Sequence, residues 1–177
     1  MTDGLLAAAD RIDRAISLLC RATIILAGVV LTVVMTANVA ARYTFAGGGF
    51  NFAQELPTLI FPWFIVAGIV LAAQMGIHMS VEWIYGKFAD RGRIVVFMIA
   101  NLISVASFAV LARQALVVAD IASIERSPVL QLPNSIGYYS IALSAVLVAV
   151  VTATACLRVF VNGWDARPQA ETEEMPL

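Results

Sequence analysis

The residues able to do chemistry in this 177-residue chain are few and poorly placed for it. Cys20 and Cys156 are far apart in sequence and form no C-x-x-C pair, so they read as structural thiols, although both sit near corresponding ends of apolar runs and could face each other. His78 is the sole histidine, which leaves no pair of axial haem ligands and no histidine set for zinc. No Ser-His arrangement is available for nucleophilic catalysis. Gly47-Gly48-Gly49 lacks phosphate-loop spacing and a following Lys-Ser or Lys-Thr, and reads as a flexible turn. A proton-coupled carrier needs a carboxylate inside an apolar run, and none lies mid-run here. The residues therefore point to a protein that is not an enzyme and takes no cofactor and no metal.

Composition says where such a chain resides. Hydrophobic residues make up 61% and charged residues 13%, against roughly 45–50% and about 25% in soluble domains. Mean hydropathy is +0.89. There are too few polar side chains to cover a water-soluble globule or to keep a chain disordered. A net charge of -1 without a basic block excludes nucleic acid as a partner, and two cysteines exclude a disulfide scaffold. An all-α integral membrane protein remains.

About 20 apolar residues cross the roughly 30 Å of hydrocarbon as a helix. Four stretches qualify, at about 22–41, 56–77, 94–113 and 135–157. They are too long for barrel strands and show no two-residue alternation. The first is about twice the length of a signal-peptide core and follows a segment bearing Asp3, Asp10 and Asp13, so it reads as an uncleaved span. Eight basic residues (Arg11, Arg14, Arg21, Lys87, Arg91, Arg93, Arg158 and Arg167) fall on one side of the four spans, and Arg42, Arg113 and Arg126 fall on the other. The richer side is read as cytoplasmic, with both termini inside and a bacterial inner membrane as the location.

The remaining pieces form one membrane domain, 1–177, with these spans. In 1–20, Leu5, Ala9, Ile12, Ile16 and Leu19 recur at helical spacing among Asp10, Arg11, Asp13, Arg14 and Ser17, which reads as an amphipathic helix in the cytoplasmic headgroup layer. A second interfacial segment occupies 79–90, with Trp83 and Tyr85 at headgroup level. The acidic, Pro-containing tail 165–177 reads as disordered. Small residues repeat every fourth position at Gly28, Thr32, Thr36 and Ala40, at Gly68, Ala72 and Gly76, and at Ala145, Ala149 and Ala153. These stripes fit either the packing of the four helices together or a seam against a larger subunit. Pro57 suits a first helical turn; Pro62 frees the Thr58 carbonyl and predicts a kink. Trp63 falls too deep for an interfacial belt and reads as a packing or interface residue.

A series of short motifs runs through this framework. Residues 38–43 read N-V-A-A-R-Y and are followed by Phe45, Glu55-Leu56, Phe61-Pro62-Trp63, Gly68 and His78-Met79-Ser80-Val81. Residues 127–133 read S-P-V-L-Q-L-P, with Tyr138 and Tyr139 beyond. From about Arg14 to Arg158 the chain resembles the small, DctQ-like membrane subunit of tripartite ATP-independent periplasmic (TRAP) transporters. Phe52 stands where that family often has Trp, keeping aromatic bulk without an indole N–H.

The resemblance implies a four-helix module beside a large TRAP membrane subunit that carries the substrate and sodium sites. It also implies a periplasmic solute-binding protein that docks transiently on the outer face, for symport of organic acids. Arg42, Tyr43 and Glu55 match family positions at the outer ends of spans one and two; Arg42 and Glu55 are expected to pair with each other or else to contact the receptor. Pro62 and Trp63 are interface or structural candidates, and His78 would meet a partner subunit, a lipid phosphate or solvent. The reading is a non-catalytic small permease subunit embedded in the lipid bilayer. A free-standing four-helix channel or exporter, or a membrane anchor of a redox complex, stand as alternatives.

Overall fold

Long runs of apolar residues become four helices, one of them with Pro62 inside it, and three outrun their expected bounds. The structure is a computed structural model that describes residues 2–45, 48–76 and 88–168. Helix α1 spans Thr2–Thr44, α2 Leu56–Gln74, α3 Asp90–Ala122 and α4 Ser135–Asn162. Short 3-10 turns at Asn51–Gln54 and Trp164–Ala166 precede α2 and follow α4. All four helices are long and apolar enough to cross a membrane. His78, Trp83 and Tyr85 and the tail from 169 onward lie outside the described residues.

The segment 1–20 and the first span are one continuous helix, α1. No proline and only Gly4 precede Gly28, so nothing in the sequence stops the helix. Its 43 residues rise about 65 Å, roughly twice the hydrocarbon thickness. The segment is also packed against its own chain: Ala9, Ile16 and Cys20 are buried while Leu5, Ile12 and Leu19 are exposed. Likewise α3 continues past Arg113 to Ala122, since the apolar pattern through Leu116, Val117, Val118 and Ile121 is unbroken. Pro57 occupies the first turn of α2, and Pro62 sits within the helix, which runs on to Gln74.

The helices form a row and not a square. α1 packs on α2, α2 on α4, and α4 on α3; α1 also meets α4, whereas the backbone of α3 comes close to neither α1 nor α2 among the described residues. α4 is therefore the central helix, with Ser140, Ala142, Ala145, Val148, Val151, Thr154, Ala155 and Val159 buried. The apolar core joins Ile16 and Cys20 of α1, Ala67 and Val70 of α2, and Val148 and Val151 of α4, with Phe108 of α3 against it.

This arrangement uses only part of the expected small-residue stripes. Gly28 lies against the Phe64 ring, at 3.5 Å from where a Cβ would stand. Thr32, Thr36 and Ala40 are exposed, and a Cβ on Gly68 would meet open space. The face α1 turns inward is instead Cys20, Ala27, Asn38 and Ala41. The seam between α3 and α4 is built from a set not singled out in the sequence, Ala112, Ala115, Ala119 and Ala122, all buried and spaced three or four apart. Such residues let two backbones approach closely. Ala119 is 0% exposed, so Ala119→Leu should lower stability by about 1–3 kcal/mol through overpacking. Ala40→Leu on the open stripe should change it by less than about 0.5 kcal/mol. Unfolding of the purified subunit in detergent measures both.

Candidate functional site

With the middles of the helices apolar, the polar side chains gather at the two ends of the row. One end carries the loops 45–55 and 123–134; the other brings the N-terminal third of α1 to the C-terminal end of α4.

At the loop end, the buried Asn38 side chain of α1 accepts a hydrogen bond from the Phe50 N–H at 2.7 Å. The chain can come this near because residue 49 is glycine: a Cβ there would run into Asn38 and stand 2.6 Å from Cγ of Arg42. Gly48 has a φ of 82°, in the region that favours glycine. The flexible turn expected of the glycine run is thus, at Gly48 and Gly49, a fitted contact on the end of α1. Phe50 and Phe52 stack beside it at 5.6 Å.

Glu55 follows, in the turn just before α2. Its Oε1 accepts the Val129 N–H at 2.8 Å and its Oε2 the Leu130 N–H at 2.9 Å. The Leu130 N–H holds the Glu55 carboxyl below the usual carboxylate range, with the Val129 N–H and the Ser127 hydroxyl acting in the same direction. The expected Arg42–Glu55 pair is absent. Glu55 is taken by the loop, and Arg42 lies exposed without an ion pair to any described residue. Two adjacent N–H donors in fixed geometry satisfy both carboxylate oxygens, which leaves a distant guanidinium little to gain.

The other candidates separate. Tyr43 is 88% exposed. Pro62 and Trp63 are half-buried, and Pro62 meets α4 at Gly137, 3.7 Å from where a Cβ would stand. A cleft of about 340 Å³ opens there between Thr58, Leu59, Pro62, Glu125, Asn134 and Tyr138. Cys20 is buried, Cys156 is half-buried, and both are free thiols. No metal-ligand group occurs among the described residues.

The terminal end holds a cluster that helical spacing did not reveal. Asp13 was assigned to a polar face of an amphipathic helix, yet its side chain is only 15% exposed and turned toward α4. Arg158 donates to Asp10 at 3.0 Å and also to the Asp13 carboxylate. The Thr154 hydroxyl lies 3.0 Å from both Asp13 oxygens, and the Gln74 amide donates to the Asp13 carbonyl at 2.9 Å. These contacts join α1, α2 and α4 around a cleft of about 360 Å³. Nearby, 165–168, placed in the tail by the sequence reading, pack on the row. Trp164 meets Phe97 of α3 edge-on at 6.1 Å, Arg167 lies 4.4 Å over the Trp164 ring, and Pro168 fits against Gly76, whose φ is 69°.

Among the described residues neither end joins a nucleophile to a base, and Asp10, Asp13, Arg158 and Glu55 are engaged in contacts that hold helices and loops together. Two outcomes follow. Arg158→Leu leaves both carboxylates without their cation and should cost about 1–3 kcal/mol; a double-mutant cycle with Asp13→Asn, read by unfolding in detergent, should show most of that cost as coupling. Gly49→Ala should break the Asn38–Phe50 hydrogen bond, seen as faster hydrogen exchange at the Phe50 amide.

Comparison with known proteins points to a transporter component. The family described as "Tripartite ATP-independent periplasmic transporters, DctQ component" matches residues 31–162. A protein of Sinorhizobium fredii (strain NBRC 101917 / NGR234), described as "Uncharacterized protein y4mM", is 57% identical over 164 residues, which cover 93% of this chain and 30% of that relative. The chain therefore spans under a third of that relative's length. No solved structure matches. Among its described residues the chain has four helices long and apolar enough to cross a membrane, and it belongs to the DctQ family, the small component of TRAP transporters.

Proposed function

We propose that this chain is the non-catalytic small permease subunit of a TRAP-type transporter of the bacterial inner membrane. In this reading it steadies a larger membrane subunit that carries the ion and substrate sites. Its loop end faces the periplasm and helps receive a solute-binding protein during ion-gradient-driven organic acid uptake, with sodium as the coupling ion.

The observation that carries the proposal is the disposition of polarity in the row. Most ionisable groups lie toward the ends, with Arg21 of α1 and Arg113 of α3 further in, and the helix faces between are greasy and partly uncovered. Leu26, Val29 and Val33 of α1 and Val95, Leu102 and Ile103 of α3 are all exposed. Such flanks suit contact with lipid and with another membrane protein. The relative's length supports a larger companion, since most of that polypeptide lies beyond the part this chain matches. The basic-residue asymmetry supports a cytoplasmic terminal end.

Reconstituted alone in liposomes under a sodium gradient, the chain should accumulate no radiolabelled organic acid. Co-expressed with a large TRAP membrane subunit, it should co-purify and support receptor-dependent uptake. Sodium-driven accumulation by this chain unaided would overturn the proposal. Arg42→Glu, at an exposed site beside Gly49, should impair uptake or co-purification while membrane insertion stays intact; unchanged values for both would remove Arg42 from the functional surface.

A further inference from the structure

One arginine of α1 stands inside the level at which its neighbours reach their polar ends. The contacts of Asp13 with Gln74, Thr154 and Arg158 set that level for α2 and α4. Arg21 comes eight residues later in α1, about 12 Å nearer the middle of the row by helix rise. It is exposed, and among the described residues it pairs with no carboxylate. A cation on a lipid-facing surface is costly unless an anion meets it.

The surroundings of Arg21 follow from helical spacing. Arg11, Arg14, Leu18, Arg21 and Ile25 fall within an arc of about 80° on α1. Ala9, Ile16, Cys20 and Ala27, on the opposite side of the helix, are buried against the rest of the chain. The arginine face is therefore turned outward: Leu18 is 71% and Ile25 64% exposed, and all three arginines are exposed. Arg14 gives its Nε to the Asp10 carbonyl at 3.4 Å, which leaves its other two nitrogens available. The acids nearest this face are Asp10, already engaged by Arg158, and Asp3, eight residues before Arg11.

Direction and order identify the occupant. Side chains of a helix lean toward its N-terminus, so Arg21 reaches back past Leu18 toward Arg14. In the other direction the same face continues as Ile25 and Val29, both exposed. Two guanidinium groups followed by an apolar strip are complementary to an anionic phosphate followed by hydrocarbon tails. We propose that Arg14 and Arg21 bind the phosphate of an anionic phospholipid whose acyl chains lie along Ile25 and Val29. The inference goes beyond the transport reading and does not depend on it.

The test uses the purified chain in dodecyl maltoside, titrated with dioctanoylphosphatidylglycerol or dioctanoylphosphatidylcholine, with bound lipid read by native mass spectrometry. The choline lipid carries the same phosphate with its charge offset by the headgroup. Wild type should bind the glycerol lipid about tenfold more tightly than the choline lipid, and the preference should fall with ionic strength. Arg21→Gln should lower the preference about three- to fivefold, and Arg14→Gln with Arg21→Gln should bring it to about twofold or less. Both positions are exposed, so melting in detergent should stay near the wild-type value. Arg113→Gln removes the same charge from α3 and should leave the preference within about twofold. Equal affinity of wild type for the two lipids overturns the site, as does an equal loss in Arg113→Gln. Displacement of the glycerol lipid by excess inorganic phosphate assigns the arginines to free phosphate and overturns the lipid. Loss of co-purification with a large TRAP membrane subunit, at unchanged lipid preference in the double variant, assigns the face to a protein and overturns the proposal too.

Discussion

Hydrocarbon gives one apolar helix no reason to leave lipid for another. Everything in this structure depends on how that absence of driving force is met. Along α4 it is met by shape: small side chains at Ser140, Ala142, Ser144, Ala145 and Ala155 are buried, with the alanine seam of α3 on one flank. At the two ends it is met by polarity, where a hydrogen bond costs less desolvation than at mid-membrane and fixes direction as well as contact. Asp13 with Arg158, Thr154 and Gln74 ties three helices at one end. Glu55 with Val129 and Leu130, and Asn38 with Phe50, tie the loops at the other. The middle of the row is free to stay apolar because its ends hold the register.

That division accounts for what could be read in advance. Span number and approximate position follow from runs of apolar residues, because hydrocarbon thickness sets a length and an unpaired charge is too costly to interrupt it. The family followed from short motifs whose spacing survives within those spans, Arg42-Tyr43 and Glu55-Leu56 among them. Partners across the fold were not legible. Asp13 is two residues from Arg11 and one from Arg14, and local periodicity assigned all of them to one kind of surface. Only the arrival of Arg158 and Thr154, well over a hundred residues later, turns Asp13 inward.

The small-residue stripes teach the same lesson from the packing side. A repeat of Gly28, Thr32, Thr36 and Ala40 marks a smooth face, yet sequence carries no mark of the angle at which the helix is rotated about its axis. In the structure Asn38 and Ala41 take the inward positions, and a polar bond from Asn38 outranks the smoother neighbouring face. Glu55 was expected opposite a basic side chain because opposite charges attract. It instead takes two backbone amides, which are closer, already oriented and unable to swing away.

The single-sided attachment of α3 has a mechanical consequence. A beam clamped along one edge passes any push at its tip into that clamp before anything else feels it. A force applied to the crest between Ile124 and Leu132 would travel first down the alanine joint into α4 and the carboxylate tether into the head of α2, with the Phe97–Trp164 contact taking it up at the far end. α1, at the far side of the row, would sense it only secondhand.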